Sequence, residues 1–88
     1  MAEYRVVFKP SVEKDLRALP KAMVARVLEH IESLADNPFP RQSIKLSGTE
    51  QLHRIRIGDY RVIYGVDKTA KLITVHYVRH RREVYRSL

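Results

Sequence analysis

Residues 45–88 hold seven arginines and three lysines against four carboxylates. Arg54 and Arg56 stand two residues apart, and Arg61 follows. Arg79, Arg81, Arg82 and Arg86 crowd the C-terminal end, and Lys45 opens the segment. Arginine presents a planar fork of donors that fits a phosphate bidentately, and its charge survives every physiological pH. Several arginines around one phosphodiester can hold it and stabilise the extra negative charge that builds when its phosphorus is attacked. His80 and Tyr85 lie inside this basic tail. Like charge nearby favours a neutral imidazole, which suits His80 to proton transfer near neutrality. Tyr85 can stack on a base or donate a proton. The plainer reading is surface arginine paired with Glu50, Asp59 and Glu83, but four acids cannot balance ten bases.

Other chemistries are absent. His30 sits mid-helix beside Glu29, His53 falls at a sheet rim, and His76 alternates with Val75 and Tyr77 as a structural residue. No grouping of histidines and carboxylates has metal-ligand spacing. There is no glycine-rich phosphate cradle and no Ser-His-Asp arrangement. Neither a metal nor a cofactor is expected.

The chain has 88 residues with 17 Lys and Arg against 10 Asp and Glu, a formal net charge of +7. Residues 1–44 are nearly balanced, with seven basic and six acidic side chains. Charge gathered in one half points to a basic face and a polyanionic partner. The length supports one small core, hence a single domain over residues 1–88. A hydrophobic content of 44% excludes a disordered chain. The lack of cysteine excludes a disulfide scaffold. No apolar run approaches the roughly 20 residues of a membrane span, and Met1–Arg5 carries no apolar signal region. A cytoplasmic protein without membrane contact is expected.

The elements that must position these side chains follow from patterning. Tyr4–Lys9 reads as a strand ended by Pro10. Ser11 is the expected N-cap of a short helix carrying Val12, Leu16 and Leu19 on one face, with Glu13 and Asp15 near its positive end. Pro20 breaks that helix and opens the next. There Met23, Val24, Val27, Leu28, Ile31, Leu34 and Ala35 form one stripe, and Asn37-Pro38-Phe39-Pro40 stops it. The second half reads as a meander: Leu52–Ile57, a Gly58-Asp59 turn, Tyr60–Val66, a turn at residues 67–70, and Lys71–Arg79. The fold class is α+β, in the order β-α-α-β-β-β. A helical hairpin packs on one face of a mainly antiparallel sheet, and a basic open face and C-terminal tail remain. The tail, His80–Leu88, is expected to make a final helical turn.

Side chains alternate along a strand. Ile55 and Ile57 must face the core, so Arg54 and Arg56 share the open face. Arg61, Ile63 and Gly65 share one face of the next strand, with Tyr60, Val62, Tyr64 and Val66 on the other.

With that order, four segments resemble the RelE/ParE superfamily of toxins from type II toxin–antitoxin modules. They are Asp15-Leu16-Arg17-Ala18-Leu19-Pro20, Lys45-Leu46-Ser47-Gly48, the block from His53 to Tyr64, and the block from Val78 to Arg86. The resemblance covers nearly the whole chain. The Gly-Asp-Tyr-Arg-Val-Ile-Tyr run and the His-Arg-X-X-Val-Tyr tail are its specific parts.

The resemblance implies a RelE-like fold and a ribosome-dependent mRNA endonuclease acting in the A site beside 16S rRNA. There the 2′-hydroxyl attacks the adjacent phosphate. It also implies a RelB-like antitoxin partner. Arg61 then falls at the family's phosphate-binding arginine, Arg81 at the arginine ending the last strand, and Tyr85 at the tail tyrosine. Arg54 and Arg56 stand where the family displays basic residues, in places where lysine is known. Arginine is a poor general base, with a pKa above about 12, so His80 is the expected titrating group. Arg54, Arg56, Arg79, Arg82 and Lys45 are the expected RNA phosphate contacts. The alternatives are a ParE-like inhibitor of DNA gyrase without nuclease activity, and a plain RNA-binding domain.

Overall fold

The computed structural model of the chain describes residues 3–46 and 51–82. β-Branched residues form strand β1 (Arg5–Phe8), and helix α1 (Pro10–Arg17) follows at once. Lys9 is the extended N-cap and Pro10 takes the first helical position. Ser11, expected as the cap, lies inside the helix. Proline explains the shift, because its fixed φ suits the first turn and its missing N–H needs no partner there. Helix α2 (Lys21–Ser33) starts after Pro20. Beyond it, the Phe39 N–H donates to Asn37 Oδ1 at 3.1 Å, a side-chain turn that competes with further helix.

Four more strands follow: β2 (Ile44–Lys45), β3 (Leu52–Ile57), β4 (Tyr60–Asp67) and β5 (Leu72–His80). β2 extends the expected order to β-α-α-β-β-β-β; two residues are too few for periodicity to reveal. The sheet order is β1-β5-β4-β3-β2. β1 runs parallel to β5 and all other neighbours are antiparallel. The β3–β4 connection is the expected two-residue turn, with Gly58 at φ +61°, a conformation glycine adopts without a Cβ penalty.

Both helices cover one sheet face. Val12, Val27, Ile31 and Leu34 from the helical side meet Ile55, Ile57, Val62, Tyr64, Ile73, Val75 and Val78 in one core. Burying each such side chain contributes about 1.5–3 kcal/mol. Tyr64 is fully buried, and its hydroxyl donates to the Pro38 carbonyl at 2.8 Å. Burial pushes this phenol up to about 12. His53 stacks on Tyr64, and Phe39 meets it edge-on.

A β-bulge governs the other face. Ile63 pairs with Tyr77 but Tyr64 pairs with Val75, so His76 is the extra residue. Strict alternation from Ile73 and Val75 would send Tyr77 and Arg79 into the core. The extra residue reverses the parity, and Val78 takes the core position instead. Tyr77 and Arg79 therefore join Ile63 and Arg61 on the open face.

α1 secures the end of β5. β1 pairs with β5 only up to Val75. Past that point the Val78 N–H donates to Asp15 Oδ2 at 3.1 Å. A helix carboxylate thus replaces the missing strand partner, and backbone polar groups demand such a partner when half-buried.

Candidate nucleic-acid interface

Three arginines stand in one row across three strands. Arg56 lies directly opposite Arg61, and Arg61 lies opposite Arg79. Cross-strand neighbours have Cβ atoms only about 4.5–5.5 Å apart, and like charges placed so are destabilising. A second row sits beside it: Arg54, Ile63 and Tyr77. Ile63 is buried without joining the helix-side core.

The arginines differ in setting. Arg56 is exposed, and its Nε donates to the Gly58 carbonyl at 3.2 Å. Arg61 is 6% exposed. The Arg79 guanidinium lies 4.7 Å from the Tyr77 ring centroid, a cation–π contact worth about 0.5–1 kcal/mol at a partly exposed site. The row thus has a sunken centre flanked by two cations that neighbouring groups hold in place. A phosphate laid across it would meet the Arg56 and Arg79 guanidinium groups, above an Arg61 whose Nε and Nη1 are buried.

The Arg81 N–H donates to the Asp59 carbonyl at 2.8 Å. Arg81 and Arg82 are exposed at the same sheet end as the row. Arg54, Arg56, Arg61 and Arg79 are therefore brought together, with Arg81 and Arg82 at their edge. Tyr85, Arg86 and most of the expected terminal helical turn lie outside the described residues.

His80 and Lys45 are not part of this assembly. His80 pairs with Tyr60, a residue of the helix-side face. The two rings meet edge-on, with centroids 5.5 Å apart. The Arg82 N–H donates to His80 Nδ1 at 3.3 Å, so that nitrogen is an acceptor. Lys45 pairs with His53, also on the helix side. Burial, then Lys45 and Lys68, holds the His53 pKa below its usual value.

Two contributors escaped the sequence reading. Tyr77 supports Arg79, and Asp15 anchors the strand segment that carries it. Asp15 was visible only as a helix-dipole partner, and no local signal marks a bond spanning 63 residues. Among the described residues, no cluster of three or more His, Cys, Asp or Glu could hold a metal ion. No helix there is long and apolar enough to cross a membrane.

Two helices on one face of an open five-stranded mixed sheet, with a row of arginines on the other face, define an α+β domain. The family model for the ParE toxin of type II toxin–antitoxin systems matches residues 6–85. Toxin RelE of Mycobacterium tuberculosis is 30% identical, with 94% of this chain and 87% of that protein covered. The RelE–RelB complex of Pyrococcus horikoshii contains a chain 43% identical, with a TM-score of 0.81, covering 90% of this chain and 96% of that one. The isolated RelE toxin of E. coli shares the fold, with a TM-score of 0.76 at 20% identity, covering 97% of this chain and 99% of that one. The chain belongs to the ParE toxin family of type II toxin–antitoxin systems, as a member of RelE type.

Proposed function

We propose that this toxin is a ribosome-dependent endoribonuclease that cuts mRNA in the A site, in the cytoplasm, and that a RelB-like antitoxin restrains it. The observation that carries the reading is the Arg56–Arg61–Arg79 row. Three like charges in register cost stability. They become favourable when a phosphodiester lies across them.

In the reaction the 2′-oxygen bonds to the adjacent phosphorus and loses its proton. The bond from phosphorus to the 5′-oxygen breaks, and that oxygen takes up a proton. The products are a 2′,3′-cyclic phosphate and a 5′-hydroxyl. Arg61 at the sunken centre stabilises the doubly charged phosphorane, while Arg56 and Arg79 orient the phosphate for in-line attack. Arg54, Arg81 and Arg82 hold flanking phosphates, and Tyr85 orients the nucleotide. None of the arginines can remove the 2′-proton. His80 is turned toward α1 at the same sheet end, so it serves this reading as a support for the Tyr60–Arg82 corner. The rate then rests on positioning and electrostatics.

Cleavage mapping tests this. The toxin is added to ribosomes holding a peptidyl-tRNA in the P site and an empty A site, and primer extension locates the cuts. Cuts confined to the A-site codon, and absent from the same mRNA without ribosomes, are expected. No cuts from a folded protein would overturn the reading. A second reading, inhibition of DNA gyrase, is favoured by the ParE name of the family model. Loss of supercoiling in a gyrase assay, without RNA cleavage, would establish it.

A further inference from the structure

The same open face carries a second feature at the other end of the sheet. A depression of about 430 Å³ is lined by residues that include Gln51, Leu52, Gly65, Asp67, Thr74 and His76. Leu52, Gly65 and Thr74 form one cross-strand row. This row is parallel to the arginine row and on the same side of the sheet. Gly65 lies four residue steps along β4 from Arg61, about 13 Å at the usual strand rise. An extended single strand crosses that distance in a few nucleotides.

Gly65 makes the floor. A Cβ there would come within 3.2 Å of His76 Nε2 and 3.7 Å of Leu52 Cδ2, so any larger residue would close the space. His76 makes the wall. Alternation from Val75 sets it on the open face, and the bulge brings Tyr77 to the same side. The side chains of Gln51, Thr74 and His76 make no hydrogen bond with other described residues, which leaves an amide, a hydroxyl and an imidazole available. Burial, then Lys9, holds the His76 pKa below its usual value, which favours the neutral ring with one donor and one acceptor. The Asp67 carboxylate accepts the Ala70 N–H at 2.9 Å. A carboxylate in the lining disfavours a phosphate there but tolerates a neutral base.

We propose that this depression is a base-reading site: one unpaired nucleobase of the RNA strand lying on the arginine row seats against Gly65 and is read by His76, Thr74 and Gln51. Single-stranded RNA is recognised in this manner, by stacking and by hydrogen bonds to splayed base edges. The inference rests on the arginine row being an RNA phosphate site.

The test has two arms. In the first, programmed ribosomes carry mRNAs that differ only in the bases flanking the cleaved bond. Cleavage rates are compared for the wild type, His76→Ala, Gly65→Ala and Arg61→Ala. At one flanking position the wild type is expected to discriminate among bases by at least about tenfold, the scale of one buried hydrogen-bond pattern. In His76→Ala and Gly65→Ala that spread collapses to within about threefold, whereas Arg61→Ala lowers all rates evenly. A wild-type spread that is absent, or unchanged in both folded variants, overturns the proposal. The second arm needs no cleavage. Amide NMR of the full chain, titrated with RNA trinucleotides of single composition, is expected to show base-dependent shifts at Gly65, Thr74 and His76. Shifts confined to the arginine strands at saturation overturn the base site while leaving the phosphate site standing. Base-dependent shifts in a protein that cuts nothing would retain the base site and overturn the nuclease reading.

Discussion

Arg79 stands directly across from Arg61 because one extra residue, His76, interrupts the β4–β5 ladder between them and the core. The juxtaposition places two like charges in direct cross-strand register.

A like-charge neighbour and an aromatic contact act in opposite directions at Arg79. Removing it relieves a like-charge neighbour, a gain of about 0.2–1 kcal/mol. It also removes the contact with the Tyr77 ring, a loss of about 0.5–1 kcal/mol. Arg79→Ala is therefore expected to change unfolding free energy by less than about 1 kcal/mol, measured in urea. Its RNA affinity should fall, and the slope of log affinity against log salt should shrink by roughly 0.7, one single-strand phosphate contact. A strongly destabilised variant would show that the arginine is structural.

Asp15 serves the site at a distance. Asp15→Ala leaves the Val78 N–H without its carboxylate acceptor, at a cost of about 1–3 kcal/mol. Hydrogen exchange at the Val78 amide should quicken first, before global unfolding, because the strand past Val75 has no β1 partner. Val78 exchange unchanged from the wild type would remove the clasp from the account.

The pH dependence follows from His53. Its folded pKa lies below the ordinary 6.5, owing to burial, Lys45 and Lys68. Below that ordinary value the unfolded chain binds a proton that the folded one refuses. Stability is thus fully present above about pH 6.5 and declines as pH falls toward 5. His76 acts in the same direction. His53→Phe keeps a ring between Phe39 and Tyr64 and should flatten part of this decline, read as the midpoint of urea unfolding at pH 7 and pH 5.5. An equal decline in the variant would exclude His53 as a source.

The face of each β3 side chain was legible, because Ile55 and Ile57 admit one register and so expose Arg54 and Arg56. The helical hairpin was legible from its apolar stripe and from Pro20, which breaks one helix and opens the next. The path of β5 was not. Thr74-Val75-His76-Tyr77-Val78 alternates well enough to hide a bulge, since a bulge is chosen by the packing of Val75 and Val78 together and leaves no local mark. Hence His76 read as a structural residue alternating with Val75 and Tyr77, and the place of Tyr77 beside Arg79 was missed. Helix α1 shows the same limit at a smaller scale. Ser11 has the chemistry of a cap, but the conformational fit of Pro10 to the first turn decided the start.

The central claim is that Arg61 stabilises the phosphorane at the middle of the row. It is tested most directly by single-turnover cleavage of mRNA on programmed ribosomes with Arg61→Ala and Arg61→Lys, beside their melting temperatures. The account predicts that Arg61→Ala cuts about 10²–10³-fold more slowly. It also predicts that Arg61→Lys falls between the two, because it keeps the charge and loses the fork. Arg61 is buried, so the melting temperatures separate a loss of rate from a loss of fold, and Arg61→Lys, which keeps the charge, is expected to melt nearer the wild type than Arg61→Ala. A cleavage rate within threefold of wild type in Arg61→Ala would contradict the account.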